Sequence, residues 1–343
     1  MDAPARKLVG LKLYGGWTVV REIVRMRDQS GGQFSCSYEI THDEGRSAFL
    51  KALDYSRALT TGDPASALNS LTQAYLFERD IVKMCADRNM DRVVRAIAFG
   101  DVVVDPTSPI GLVQYLIFEM ADSDLRGFLS TAAKVETAWK LRALHHIATG
   151  LHQLHSAGVA HQDTKPSNVA IFKDCSKISD LGHASRKGST SPRDKFHYAD
   201  PSYAPPELRY GHLDPDWSRR RLGCDAYHLG SMIVFLFTGT GATSLMLSNL
   251  PREHWPGKWN GTYSDVLPYI RNAWDAALDD FSDHVQDPHL RTELRTLVSY
   301  LCDPDPSLRG HPSNRQGFGQ QLSLERFVSR LDFLARRMES ASR

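Results

Sequence analysis

Cysteine, net charge and long apolar runs are all scarce in this chain, and each scarcity removes a class of protein. Its 343 residues hold 5 cysteines. Cys36, Cys85, Cys175, Cys224 and Cys302 lie far apart, with no C-x-x-C pair. That spacing excludes a disulfide framework and a zinc ribbon, and predicts reduced, mostly buried thiols in a cytoplasmic protein. Lys+Arg total 41 against 40 for Asp+Glu, a formal net charge of +1. So balanced a surface implies no nucleic-acid partner and no anionic membrane. The longest purely apolar run, Met232 to Phe237, is far too short to span a bilayer. Met1 to Lys7 lack the apolar core of a signal peptide. No repeat of about 20–50 residues and no long low-complexity tract is visible, which removes solenoids and repeat arrays. A chain of this length suits one two-lobed domain or two ordinary ones.

What is present concentrates in one stretch. His161-Gln162-Asp163-Thr164-Lys165-Pro166-Ser167-Asn168 is followed, twelve residues after Asn168, by Asp180-Leu181-Gly182. Two carboxylates, an ammonium and a carboxamide thus lie between short strand-like runs. Such an inventory suits phosphoryl transfer, in which the protein positions two oxygens and phosphate charge is neutralised. The pattern H-x-D-x-K-P-x-N, then D-x-G, resembles the catalytic loop and metal-binding motif of eukaryotic-type protein kinases. The resemblance implies that Asp163 orients and deprotonates a substrate hydroxyl and that Lys165 steadies the transferred group. Asn168 and Asp180 would ligate Mg²⁺, with ATP as the phosphoryl donor.

The residues upstream read as the start of the matching first lobe. Trp17 to Val24 is rich in β-branched residues, and Phe34, Cys36, Tyr38 and Ile40 alternate with polar neighbours at the period of a half-buried strand. Ala48 to Leu53 reads as a third strand after the turn Asp43-Glu44-Gly45. It carries Lys51 on the face of Phe49 and Leu53. On the helical pattern Ala74 to Val82, Glu78 shares an apolar face with Ala74, Ile81 and Val82. By the resemblance Lys51 holds phosphates and pairs with Glu78. The glycine-rich loop of the family becomes Ser30-Gly31-Gly32-Gln33-Phe34-Ser35, keeping one glycine of three. Ser30, Gly31, Gly32 and Phe34 would still cover the nucleotide.

Two departures touch the adenine pocket: Phe49 and Ser37 stand where the family has small and apolar residues, and Ala170 stands where it often has a larger aliphatic. A bulky ceiling at Phe49 offset by a small floor at Ala170 is the expected arrangement. Val93 to Val104 reads as two short strands around a turn at Phe99-Gly100-Asp101. Glu119-Met120-Ala121, after Leu112 to Met120, resembles the hinge that meets adenine through Glu119 and Ala121, with Phe118 as gatekeeper.

Leu141, Leu144, Ile147, Leu151 and Leu154 recur at helical spacing and deliver the chain to the catalytic loop. His145, His146, His152 and His155 on that helix read as solvated or core residues, not metal ligands. Gln162 replaces the arginine of the family's H-R-D, which implies activity independent of activation-segment phosphorylation. Asp180 to Glu207 would be that segment. Its run Ser185 to Ser191 has a mobile composition and candidate autophosphorylation sites. Asp200 occupies the place of the family's substrate-contacting threonine, where its charge is expected to repel Asp163 and raise a pKa. Glu207 is expected to pair with Arg309, and Asp225 to cap a helix and anchor the loop backbone. Residues 239–290 read as helical packing. Leu324, Phe327, Val328, Leu331 and Leu334 mark an amphipathic helix on the second lobe.

The resemblance therefore implies an α+β, bilobal protein-kinase-like fold: an antiparallel-sheet first lobe with one helix (residues 17–120) and a larger, mainly helical second lobe (121–310). Residues 1–16 and 311–343 would be an N-terminal extension and a helical extension packed on the second lobe. The expected protein is a divergent, bacterial-type Ser/Thr protein kinase acting on a protein substrate. The alternative is a pseudokinase-like binding module. A small-molecule phosphotransferase is disfavoured by Glu207, Arg309 and the long segment before them.

Overall fold

Period-two burial along short strands, then period-3.6 burial along helices, divides the chain into a sheet lobe and a helical lobe. The computed structural model describes residues 3–24, 34–108, 110–133, 135–190, 198–315 and 320–341. Strands β1 (Lys12–Leu13), β2 (Trp17–Glu22), β3 (Ser35–His42) and β4 (Ser47–Leu53) precede helix α1 (Pro64–Asp87). Strands β5 (Ala96–Val103) and β6 (Leu112–Glu119) follow, and the six form one antiparallel sheet in the order β1-β2-β3-β4-β6-β5. Cys36, Tyr38 and Ile40 of β3 face the same core as Ala48, Leu50 and Ala52 of β4. Helix α1 starts where Asp63 accepts a hydrogen bond from Ser66 N–H, with Pro64 in its first turn.

One expectation changes here. Phe99-Gly100-Asp101 is no turn, because β5 runs through it unbroken, in register with β6. The glycine serves packing instead: a Cβ on Gly100 would come within 2.6 Å of the Tyr115 hydroxyl on β6. Residues 3–16 pack as part of the sheet lobe. Ala5, Leu8 and Leu13 are buried in its core, and Tyr38 Oη donates to Ala5 O at 2.6 Å.

The helical lobe begins with β7 (Ser123–Asp124), α2 (Leu125–Thr131) and α3 (Thr137–Ser156). Leu141, Leu144, Ile147, Leu151 and Leu154 of α3 are all fully buried, as their spacing predicts. Strand β8 (Val159–Ala160) leads into the loop of residues 161–168, which is followed by the hairpin β9 (Val169–Phe172) and β10 (Cys175–Ile178). Strand β11 (Ser185–Arg186) pairs with β8. Ser185 is therefore fixed and buried, with Trp217 Nε1 donating to its Oγ. The rest of that run is exposed from Arg186 to Thr190, including the hydroxyls of Ser189 and Thr190, and Ser191 lies outside the described residues.

Next come α4 (Pro206–Arg209), the buried α5 (Gly223–Thr238), α6 (Ala242–Ser248), α7 (Tyr263–Asp283), α8 (Pro288–Leu301), α9 (Pro312–Arg315) and α10 (Glu325–Ala341). Asp225 lies in the first turn of α5 and makes no N-cap bond. Its capping role is thus corrected, while its anchoring role is described below. Phe327, Leu331 and Leu334 of α10 are buried, and Arg142 of α3 reaches Asp332 at 2.7 Å and Glu339 at 2.8 Å. Among the described residues no single helix is long and apolar enough to cross a membrane.

The lobes are joined behind the hinge. Val94 N–H donates to Ile178 O, and Ile178 N–H to Arg92 O. Gly150 of α3 lets Arg92 O approach; a Cβ there would lie 2.5 Å from that oxygen.

At the base of the second lobe, Arg309, with no exposed surface, forms a two-pronged pair with Glu207 at 2.6 and 2.8 Å. It also donates to the carbonyls of Gly223 and Asp303. A fork of this kind is worth most where water is excluded, and removing one partner strands the other charge. Arg309→Ala is expected to destabilise the protein by about 3–5 kcal/mol in urea unfolding. A loss below about 1 kcal/mol would contradict this account.

Candidate active site

One fully buried carboxylate sets the loop. Asp225 accepts hydrogen bonds from His161 N–H at 2.7 Å and Gln162 N–H at 2.8 Å, and His155 Nε2 lies 2.9 Å away. Burial alone would raise its pKa. The His155 hydrogen bond and the surrounding imidazoles pull it below the usual carboxylate range. His155 is thus a core histidine with a specific task. Gln162 takes a positive φ of 70°, uncommon for a residue with a Cβ. Its amide holds that conformation by donating to Arg221 O at 2.7 Å while accepting from Arg221 Nη1 at 3.2 Å.

The loop is then tied to the D-x-G segment. Asp163 N–H donates to His161 Nδ1, which leaves the ring proton on Nε2 to meet Ser179 O at 3.0 Å. Ser179 N–H in turn donates to Asn168 O at 2.9 Å. Asn168 Nδ2 donates both to Asp163 O at 2.8 Å and to Asp163 Oδ2 at 2.9 Å. The amide nitrogen is committed to Asp163, so the group Asn168 offers a cation is its carbonyl oxygen. Asp180 sits in the left-handed region, with φ of 59°. Amide oxygen and carboxylate oxygen are hard donors, the set that suits Mg²⁺.

Residues far apart in sequence meet at Asp180. Lys51 of β4 donates from Nζ to Glu78 Oε1 of α1 at 2.7 Å and to Asp180 Oδ1 at 2.9 Å. Burial would lower the ammonium's pKa, but the charges of Asp180 and Glu78 outweigh it and raise the value. The pairing expected for Lys51 and Glu78 is present.

Asp163 is 6 % exposed. Burial pushes its carboxyl up to about 6; Lys165 opposes that shift and the charge of Asp180 adds to it. Lys165 Nζ lies 3.0 Å from Asp163 Oδ1 and 3.3 Å from Asp200 Oδ2. The repulsion expected between Asp200 and Asp163 is therefore bridged by an ammonium, and the raised pKa has burial as its first cause.

At the hinge, Phe118 lies opposite Phe49 in the β4–β6 register, their ring centroids 6.5 Å apart. Ala170 is buried on β9, and half-buried Ala121 follows the last sheet strand. Glu119 has work of its own. Its N–H donates to Arg95 O, while its carboxylate accepts from Lys177 Nζ at 2.7 and 2.8 Å and from Arg95 N–H at 2.7 Å. Lys177, on β10, thereby ties the helical lobe to the hinge. No local pattern marks Lys177 or Arg221, since their partners lie 58 and 59 residues away. Phe34 is half-buried beside Asp54, whose N–H donates to its carbonyl. Ser30, Gly31 and Gly32 lie outside the described residues.

With this geometry in view, comparison with known proteins is informative. A family model described as the protein kinase domain matches residues 30–313. The chain is 30% identical over 184 residues to the mitogen-activated protein kinase p38b of Drosophila melanogaster, covering 53% of this chain and 44% of that one. It is 29% identical over 144 residues to the mitogen-activated protein kinase sty1 of Schizosaccharomyces pombe, 42% of this chain and 38% of that one. It is also 31% identical over 133 residues to a Wee1-like protein kinase of Arabidopsis thaliana, 38% of this chain and 24% of that one. The matched stretch spans less than half the length of each of these relatives.

Two loop hydroxyls, those of Thr164 and Ser167, are buried without a hydrogen-bond partner among the described residues. Thr164 has no exposed surface. An orphaned hydroxyl in such a place costs about 1–3 kcal/mol. Thr164→Val, which keeps the shape and removes the hydroxyl, is expected to raise unfolding free energy by about 1 kcal/mol. A lower melting temperature for this variant would show that the hydroxyl is satisfied.

Proposed function

We propose that this chain, which belongs to the protein kinase domain family, transfers the γ-phosphoryl group of ATP to serine or threonine hydroxyls of protein substrates, its own included. The observation that carries this reading is the pairing of two shared cations. Lys51 lies between Glu78 and Asp180, and Lys165 lies between Asp163 and Asp200. Lys51 binds phosphate oxygens, and Glu78 keeps the lysine extended. Asp163 accepts the hydroxyl proton as the substrate oxygen attacks phosphorus and the bond to ADP breaks. Lys165 balances charge on the group in transit. Asn168 and Asp180 would hold Mg²⁺, which when bound neutralises phosphate charge. Glu119 and Ala121 offer backbone groups to adenine, with Phe34, Phe49 and Ala170 around it. The preference for serine and threonine rests on the Lys165-Pro166 run, which resembles that of family members with this specificity.

The test is transfer of labelled γ-phosphate to the protein and to a generic protein acceptor, wild type beside Asp163→Ala and Asp180→Ala. Label on wild-type serine or threonine, reduced about 10²–10⁴-fold in Asp163→Ala, is the expected result. Equal label in all three proteins would overturn the mechanism. A base must be deprotonated to act, and the Asp163 carboxyl is held up to about 6. Activity is therefore expected to be full above that pH and to fall about tenfold per unit below it in kcat/KM profiles. A limb centred near 4 would remove Asp163 from the role.

A catalytically silent binding module is the competing reading, and the Phe49–Phe118 pair beside the hinge is the feature that favours it. ATP titration by calorimetry separates the two. Wild-type binding, changed only a few-fold by Phe49→Ala, is expected. Binding by Phe49→Ala alone would mean that Phe49 fills the pocket.

A further inference from the structure

Asp200 is the residue that the proposed reaction leaves without a task. Its carboxylate is nevertheless held at both oxygens. Its Oδ1 accepts from Ser202 N–H at 2.9 Å, closing a tight local turn. Its own carbonyl accepts from Tyr203 N–H at 3.2 Å and Ala204 N–H at 3.0 Å. That turn is fastened from outside. Thr243 Oγ1 donates to Ala204 O at 2.8 Å, Arg209 Nη1 to Pro201 O at 2.9 Å, and Arg126 Nη2 to the Tyr203 hydroxyl at 3.2 Å. What remains of the carboxylate, Oδ2, is thereby aimed at Lys165 Nζ at 3.3 Å. The Lys165 side chain is 4 % exposed and the Asp200 side chain 13 %, so water screens this contact little.

A lysine is a compact point charge on a flexible stem, and one carboxylate leaves it free to swing about that partner. Two carboxylates from separate segments of the chain define its place more narrowly. We infer that Asp200 is a positioning residue for phosphoryl transfer, a second carboxylate on the Lys165 ammonium besides Asp163, so that the cation stands where the transferred group passes. The inference rests on the proposed kinase reading for its consequence, but not for its geometry. A neutral hydroxyl in the same place would orient the lysine more weakly, because a charged acceptor makes the stronger hydrogen bond.

Two measurements on the full chain test it. In steady-state assays Asp200→Ala is expected to lower kcat about tenfold while leaving KM for ATP within about twofold, since Lys51 is untouched. Asp200→Asn keeps an oxygen acceptor without the charge and is expected to recover only part of that loss. The second measurement needs no catalysis. With an amine-acylating reagent and nucleotide-free protein, the rate of Lys165 modification is read by peptide mass spectrometry, with Lys51 as the internal reference. Asp200→Ala is expected to raise the Lys165 rate about fivefold and to leave the Lys51 rate unchanged. Unchanged Lys165 labelling would overturn the inference, as would equal increases at both lysines with a lowered melting temperature, which signal general loosening. If no variant, wild type included, transfers phosphate, the kinase reading falls while the labelling result still decides the role of Asp200.

Discussion

The buried carboxylate of Asp225 is the constraint on which the rest of the site depends. A carboxylate with no exposed surface is expensive to desolvate, and it is kept charged here by two backbone N–H groups and the His155 ring. Those two N–H groups belong to His161 and Gln162, the residues just before Asp163. One anion on the central helix of the second lobe thus fixes the peptide that carries the candidate base. His161 passes the order on to Ser179, and Asn168 passes it back to Asp163. The loop and the D-x-G segment become one rigid unit.

On that unit the charges alternate. Each of the two site lysines sits between two carboxylates, one from the helical lobe and one from a different segment. A shared cation of this kind does two things at once. It joins elements that have no covalent reason to meet, and it balances negative charge that burial removes from water. At Asp163 burial outweighs the lysine, and the carboxyl is held up to about 6. That places a group able to take a proton beside the Lys165 ammonium.

Much of this was legible beforehand, and for identifiable reasons. Leu141 to Leu154 announced α3 because helical burial has a fixed period, and Cys36 to Ile40 announced β3 for the same reason. The loop from His161 to Asn168 was legible because its polar groups stand at fixed offsets on a continuous backbone. Gly100 misled because a glycine inside a strand and a glycine in a turn look alike in one dimension. The difference lies in Tyr115, which crowds it from the next strand. Asp200 misled in the opposite way: its charge was read against Asp163 alone, whereas Lys165 stands between them.

The amino-acid sequence alone determined which groups this protein has to work with, the periods of its elements and the short-range spacing of the catalytic loop, since all of these are set by covalent order. Only the tertiary structure decided which charge meets which. The Lys51–Asp180 contact spans 129 residues, Arg309–Glu207 spans 102, and Asp225 reaches back more than 60 to the loop it holds. Ion pairs and hydrogen bonds depend on distances of a few ångströms in space, and sequence separation carries no measure of that.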